Sequence, residues 1–427
     1  MSRSRLHGRL VPSLALLLAL AWAVALPAQV ATRTEPELSG HLRRIDGIEV
    51  LFLSGDDRQQ AFTEGYLCAT AIHELFEDFA LHNPFVPSPA AWDLAMRPLI
   101  ARTTEVPERL HAWCEQVVAG MTARDPATLE IAELKRKLTA DDLLGAAALP
   151  DFVGLMCSSF AVWGSHAKGD GPLIGRNLDY PATQKLLEHD MLIVRTGRKD
   201  RIDTVTLGWP GLPAVVTGMS ASGVFVSIHD VPKKRIGRDK CIPRTVALLE
   251  LLETCTPHGD PVVAATTLLQ QWRYGMGGNV MFAWRGAKDT APGACVFEIA
   301  PDDFTEDGVT ARRPAKDETW IACSNHFRSR EEPEGCWRFK ALFDGVSADE
   351  AKLDLDGARE LIRRSQVGMT LHQICADLST GTFAVRVLRE KGARGKDGKW
   401  DESGVWSVTE LLEEARHGAP AAAGKGN

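Results

Sequence analysis

The sequence predicts an α+β protein, and three features of its 427 residues carry that reading. Residues 57–148 place apolar side chains at three- and four-residue spacing, which is the helical period. From 191 onward the pattern changes to short runs rich in β-branched and aromatic residues, separated by Gly, Pro, Asp and Lys clusters, as in an antiparallel meander. The composition, 44% apolar and 25% charged with a net charge of −7, is that of a globular chain. It is long enough for two or three ordinary domains or for one large α/β unit with a pro-segment. Nucleic-acid binding would require a clustered basic face and a high pI, and neither is present. The short run Lys233-Lys234-Arg235-Ile236-Gly237-Arg238 reads as a solvated loop.

Taken in order, the chain begins with Arg3, Arg5 and Arg9 ahead of an apolar run from Leu10 to Leu26, with small residues at Ala23, Ala25, Ala28 and Ala31. That is the order of a secretory signal peptide. Pro12 and Pro27 bracket a core shorter than the ~20 residues a spanning helix needs, so no stable membrane anchor is expected. Residues 1–30 are expected to be removed on export, leaving a secreted or periplasmic protein. Paired arginines are absent, which favours the general secretory route.

A strand is expected within 42–53, over Ile45-Asp46-Gly47-Ile48-Glu49-Val50-Leu51-Phe52-Leu53. Helices are expected over 57–79, 90–101, 106–121 and 127–148. In the first helix Phe62, Tyr66, Ala69 and Ile72 form the buried stripe, and Gly65 allows a close neighbour; His73 and His82 read as ordinary helix and loop histidines. Strands follow over 191–196, 203–208, 214–217 and 224–228, then helices over 244–255 and 261–273. Strands over 278–284, 294–299 and 319–327 come next, then helices opening at 335 and covering 356–365 and 371–378. A strand over 382–388, a charged hairpin or loop over 389–404 and a disordered tail over 417–427 complete the chain. There is no internal repeat.

Nine cysteines are present, at 68, 114, 157, 241, 255, 295, 323, 336 and 375. In an oxidising compartment an odd count leaves at least one thiol free, which fits one reactive thiol plus some bridges. No Cys/His cluster has metal-ligand spacing, so no metal is expected.

The chemistry concentrates in Met156-Cys157-Ser158-Ser159-Phe160-Ala161-Val162 and Gly171-Pro172-Leu173-Ile174-Gly175-Arg176-Asn177-Leu178-Asp179-Tyr180. The two runs read as strands of a β-hairpin, with turn formers between them. Cys157 then lies near the mouth of one strand, with Arg176 and Asp179 near the end of its partner, where the two are expected to act as a charged pair that holds Cys157. A fixed positive charge at Arg176 favours the thiolate of Cys157. His166 sits at the far end of the hairpin, so a base is missing. Cutting Met156–Cys157 supplies one, because the freed α-amino group has a reference pKa of about 7.7–8.0 and can take the proton from its own side chain, oriented by Asp179.

These two motifs resemble the start of the catalytic chain in the N-terminal-nucleophile hydrolases of the choloylglycine hydrolase, penicillin V acylase, acid ceramidase and penicillin acyltransferase group. The acyl-coenzyme A:6-aminopenicillanic acid acyltransferase-like branch is the most similar in flavour. The resemblance covers most of 43–388 and implies an αββα sandwich: two packed, mainly antiparallel sheets between helical layers. It also implies a helical pro-segment or α-chain over 31–156, opening with Leu51-Phe52-Leu53-Ser54-Gly55, and a catalytic β-chain over 157–416.

Three further stretches carry over residue by residue. Thr217-Gly218-Met219-Ser220-Ala221-Ser222-Gly223-Val224 resembles a family hairpin whose following strand ends in an Asn with an oxyanion-binding backbone amide. Here His229-Asp230 occupies that place, leaving only a backbone donor. Ser324-Asn325-His326-Phe327 resembles Thr-Asn-His-Phe, which implies oxyanion binding by the Asn325 side chain. Gly335-Cys336-Trp337-Arg338-Phe339 resembles a Ser-x-x-Arg-Tyr segment whose Arg faces the site, with Cys336 one position from where Ser is expected.

The resemblance therefore implies a secreted, self-processing cysteine amidohydrolase acting on a small-molecule amide through a thioester on Cys157. It needs no metal or organic cofactor, and its own cleaved α-chain is a partner. Transfer of the acyl group to an amine, a Cys/His hydrolase using His229 or His326 without processing, and a non-catalytic secreted binding protein remain open, as does a homo-oligomer.

Overall fold

Strand pairing organises the described residues, which in this computed structural model are 36–418 apart from 84–85, 155, 182, 235–239, 302–307, 331–334, 349–351 and 393–397. The signal peptide, most of the basic run and nearly all of the tail lie outside them. Eighteen strands are described, numbered in chain order as β1 (Gly40–Ile45), β2 (Ile48–Leu53), β3 (Glu130–Ile131), β4 (Arg136–Lys137), β5 (Met156–Val162), β6 (Leu173–Asp179), β7 (Met191–Arg195), β8 (Thr204–Gly208), β9 (Thr217–Ser220), β10 (Val224–Lys234), β11 (Met276–Trp284), β12 (Gly293–Ile299), β13 (Val309–Arg312), β14 (Trp320–Cys323), β15 (Thr370–Asp377), β16 (Thr382–Glu390), β17 (Lys399–Glu402) and β18 (Trp406–Ser407). One sheet runs β1-β2-β7-β8-β9-β10-β11-β12-β13; the other runs β14-β5-β6-β15-β16-β17, with β18 on β16. In these two sheets β2 and β7 form the one parallel pair described.

Side-chain alternation gives each sheet two faces and so fixes four layers. Ile48, Val50, Phe52, Leu192, Val194, Met281 and Ala283 of the first sheet share one buried cluster with Ala161, Ile174, Ile374 and Phe383 of the second. On the outer face of the first sheet, Ile228, Val280 and Phe282 pack with Val246, Leu248 and Leu251 of the helix Arg244–Thr254 and with the helices before residue 150. On the outer face of the second, Phe160, Val162, Leu173 and Cys375 meet Leu342 and Val346 of Trp337–Val346 and Leu361 and Ile362 of Leu355–Arg364. The stacking is helix, sheet, sheet, helix, as the resemblance implied.

Residues before 156 are built into this sandwich. They supply β1 and β2, and the helix Asp57–Leu67 crosses Glu108–Arg124 at contact distance. A Cβ on Gly65 would lie 2.0 Å from the Val117 carbonyl oxygen, and one on Gly120 would lie 2.1 Å from that of Phe62. Gly65 is thus required by the close neighbour that the sequence anticipated.

Several sequence expectations are corrected. The segment 42–53 is a hairpin, because Asp46 and Gly47 take positive φ (51° and 83°), the two-residue Asp-Gly turn. Within 127–148 only Ala140–Ala148 is α-helical; β3 and β4 precede it around a turn with Lys135 at φ 54°. Residues 371–377 belong to strand β15, not a helix. They are buried on both faces between β6 and β16, so no polar stripe marks the strand period. The strand expected over 214–217 is displaced to β9, which shares only Thr217 with it, and the one expected over 319–327 shrinks to β14. Val408–His417 is a helix that the sequence reading did not anticipate.

Candidate active site

The β5–β6 hairpin forms as expected, with Met156 opposite Asp179, Cys157 opposite Leu178 and Ser159 opposite Arg176. Its alternation sorts the polar side chains. Cys157, Ser159 and Arg176 fall on the inner face, where Ser159 meets Ser227 and His229 of the other sheet. Asn177 and Asp179 fall on the outer face, under the helices Trp337–Val346 and Leu355–Arg364. Asn177 Nδ2 donates to Ile362 O at 3.0 Å, and Asp179 Oδ2 accepts from Arg338 Nη1 at 2.9 Å.

This corrects one expectation. Arg176 and Asp179 are three residues apart on a strand and so project to opposite faces; they do not form the direct pair that the sequence reading assigned them. Asp179 pairs with Arg338 instead, and Thr370 Oγ1 donates to its second oxygen at 2.6 Å. Arg176 Nη2 donates to Cys157 Sγ at 3.4 Å and to Ile228 O at 3.1 Å.

Cys157 is held at every polar atom. Its N–H donates to Asn325 Oδ1 at 2.9 Å, its carbonyl accepts from Arg338 Nη1 at 3.1 Å, and its thiol faces Arg176. Arg338 Nη2 also donates to Asn325 Oδ1 at 2.8 Å, so Arg338 ties together Asp179, Asn325 and the Cys157 backbone. Asn325 Nδ2 donates to Asp230 O at 2.7 Å. The five residues singled out as catalytic are therefore one contiguous cluster. In the uncut chain, however, the Asn325 amide N–H is engaged with Asp230. Cys157 has no exposed surface, whereas Met156 is 41% exposed, so the bond joining them lies where a buried layer meets solvent.

His229 does not reach the thiol. It is fully buried, with Nε2 against Ser159 Oγ and Nδ1 at 3.2 Å from Asn279 O. His326 contacts Ser324 Oγ at 3.0 Å and the Arg328 guanidinium. Among the described contacts, then, no histidine touches Cys157, and the Cys/His alternative loses its base.

Electrostatics follow from burial. Desolvation pushes the Cys157 thiol up to about 12; Arg176 pulls it down, while Asp179 and Asp230 add to the rise. Burial likewise raises Asp179 to about 6 against the lowering effect of Thr370 and Arg338. Burial holds His229 well below the usual histidine range, assisted by Arg176. The thiol is therefore protonated at neutral pH, and a reaction at its sulfur would require a base.

Sequence reasoning missed several supporting residues. Asn279 Nδ2 donates to the carbonyls of Ser324 (2.9 Å) and His326 (2.8 Å), clamping the chain on both sides of Asn325. The Arg244 guanidinium is buried between Asp151 (2.9 Å) and Asp230 (2.7 Å), tying the segment just before the Met156–Cys157 bond to β10. Burial counteracts this, but the two carboxylates hold Arg244 above the usual arginine range. Thr370, His372 and Asp190 were also unmarked, because polar residues inside a run such as Leu371-His372-Gln373-Ile374 carry no spacing signal.

An apolar pocket is reached at the end of β6, where Tyr180 follows Asp179. Ile72, Phe76 and Phe79 from the N-terminal helices, Tyr180 after β6, and Trp209 and Val216 line it. Cys157, Leu178 and Tyr180 belong to the same buried cluster as these walls. All nine cysteines are unbridged, so the bridges expected in an oxidised protein are not formed. The grouping Glu74, Glu188 and His189 has metal-ligand spacing, but Lys185 already pairs with both carboxylates.

No protein-family model and no curated protein sequence matches the chain. Solved structures show likenesses. An N-acylethanolamine-hydrolyzing acid amidase ortholog from Caenorhabditis elegans is 14% identical over 59% of this chain and 99% of its own, with a TM-score of 0.39. A mutant of the conjugated bile acid hydrolase from Clostridium perfringens is 12% identical over 60% and 94%, with a TM-score of 0.39. Penicillin V acylase from Agrobacterium tumefaciens is 10% identical over 54% and 83%, with a TM-score of 0.37. The fold rests on the layers themselves: two sheets packed face to face between helical layers, an αββα sandwich.

Proposed function

We propose that the chain is an exported, self-processing amide hydrolase with Cys157 as its nucleophile and an apolar acyl group as its preferred substrate moiety. The observation that carries this reading is the complete fixation of Cys157. Its N–H, carbonyl and thiol are held by Asn325, Arg338 and Arg176, and the preceding residue reaches solvent. A structural core cysteine needs none of these contacts. First, the thiol adds to the Met156 carbonyl and the peptide bond from Met156 C to Cys157 N breaks, the thiol proton passing to the nitrogen, which leaves a thioester and a free α-amine. Water then hydrolyses the thioester, releasing the Met156 carboxylate. The new amine takes the thiol proton for attack on a substrate amide, returns it to the leaving amine, and water resolves the second thioester. Arg176 stabilises the thiolate, while Asp179 with Arg338 orients the ammonium. Once its hold on the uncut chain relaxes, the Asn325 amide is available to the oxyanion, an interaction whose loss typically costs ~10²–10³-fold in rate.

The apolar pocket bounded by Tyr180, Phe79 and Trp209 favours an aliphatic or aromatic acyl chain over a charged one. The α-chain stays bound after cleavage in this scheme, since it supplies two strands and a wall of the pocket. The test is a series of chromogenic anilides with acetyl, octanoyl, phenylacetyl and succinyl acyl groups, assayed with the mature protein and Cys157→Ala. Cys157-dependent hydrolysis rising from acetyl to octanoyl or phenylacetyl is expected. Hydrolysis that survives Cys157→Ala would refute the reading, and a preference for succinyl would refute the substrate class.

A further inference from the structure

Arg176 is a fully buried cation without a carboxylate against it. Its described partners are Cys157 Sγ, Ile228 O and, through Nη1, the imidazole Nε2 of His372 at 3.5 Å; its Nε has no partner. A cation in such a position is costly unless charge compensates it. Behind His372 stands Asp190, whose Oδ2 lies 2.7 Å from the imidazole Nδ1, with its other oxygen unpartnered. Both side chains are buried, His372 at 0% and Asp190 at 1% exposure.

We propose that His372, oriented by Asp190, is a positioning residue that holds the Arg176 guanidinium on the Cys157 sulfur. This rests on the reading of Cys157 as the nucleophile. The chemistry follows from the tautomer. A carboxylate at Nδ1 fixes the proton there, which leaves Nε2 as an acceptor for an Arg176 N–H. Thr217 Oγ1, 3.4 Å from the same nitrogen, shares that nitrogen's single lone pair with Arg176. With Nη1 tethered, the planar guanidinium turns its Nη2 edge toward Cys157. Burial and Arg176 lower the pKa of His372 while Asp190 raises it; the net shift is downward, which keeps the ring neutral and accepting. The other ionisable groups that act on Arg176 are Cys157, Asp179, Cys323 and Asp190. The Trp209 ring lies 6.4 Å from the imidazole and lines the apolar pocket, so the tether sits between the cation and the pocket wall.

The reactivity of Cys157 tests this without a substrate. Mature wild type, His372→Leu and His372→Gln are alkylated with iodoacetamide from pH 5 to 9.5, and the rate at Cys157 is followed by peptide mass. Peptide mapping is needed because Cys336 is a second, half-buried thiol: burial raises its pKa, yet His326, Ser324 and Arg338 bring it down to about 6. Leu removes the acceptor, and Gln presents an oxygen near the place of Nε2. The expected result is a reaction midpoint about one pH unit higher in His372→Leu, hence about tenfold slower alkylation at neutral pH, and near-wild-type behaviour in His372→Gln. An unchanged midpoint in His372→Leu, or an equal loss in both variants, overturns the proposal. If His372→Leu stays uncut or unfolds, Asp190→Asn provides the second arm, because it frees the other tautomer and should raise the midpoint; no rise overturns the proposal. A wild-type Cys157 inert across the whole range would instead overturn the nucleophile reading.

Discussion

Replacing Arg338 with Met tests the electrostatics of the cluster most fully. The substitution keeps an unbranched stem but removes the cation that pairs with Asp179 and bonds to Cys157 O and Asn325 Oδ1. Asp179 carries the pH dependence. Its pKa in the fold is about 6, raised above the ordinary 3.8 by burial. The raised value means that folding favours the protonated form. This contribution is fully present below about 3.8 and is lost as pH rises through about 6, an ionisation cost of roughly 3 kcal/mol at 1.36 kcal/mol per unit. Arg338 is one of the groups that keep the value from rising further, so in Arg338→Met the loss continues to higher pH. At pH 5 both proteins hold Asp179 mostly protonated, and the variant should lose only hydrogen bonds, about 1–2 kcal/mol. At pH 8 it also leaves a buried carboxylate without its partner, for a total of about 3–5 kcal/mol. Urea unfolding at pH 5, 6.5 and 8, performed in a Cys157→Ala background so that every sample is one chain, measures the gap. A gap that stays flat or narrows from pH 5 to 8 would refute the reasoning.

Three further outcomes are expected. Cys157→Ala should stay a single inactive chain and Cys157→Ser should process slowly or not at all, because a hydroxyl is a far weaker nucleophile; gel mobility under denaturing, reducing conditions shows this. Asp179→Asn should fold, turn over much more slowly and lose the acid limb expected near pH 6 in wild type, so wild-type rates across pH 5 to 9 would count against its role. Asn279→Leu frees the carbonyls of Ser324 and His326, which should destabilise the protein by about 1–3 kcal/mol and lower turnover at least tenfold with little change in KM; an unaltered kcat would make the clamp merely structural.

Much of the site was legible because its residues lie in compact runs. Cys157, Arg176 and Asp179 share one hairpin, and Asn325 and Arg338 share one short segment, so each motif could be read whole. The pairing within the site was less legible. Two charges three residues apart look like partners in a list, but strand alternation sends them to opposite faces, and Arg338, 159 residues beyond Asp179 in the chain, takes the place assigned to Arg176. Asn279, Arg244, Thr370 and the Asp190–His372 pair act through contacts between segments distant in the chain, which no local spacing encodes. For the fold, helices with one apolar face, such as Glu108–Arg124, could be read directly. The central strand β15, buried on both faces, has no alternation to give it away, and the Asp46-Gly47 turn was hidden because apolar β-formers flank it closely on both sides, so that the stretch reads as one strand.

The central claim is that Cys157 becomes an N-terminus. Intact mass and N-terminal sequencing of the mature, active protein under denaturing, reducing conditions test it most directly. Two fragments are predicted: an α-chain ending at Met156 and a β-chain beginning at Cys157, which co-purify under native conditions because β1 and β2 belong to the same sheet as β7 to β13. A single chain with Met156–Cys157 intact in material that hydrolyses amides would contradict it.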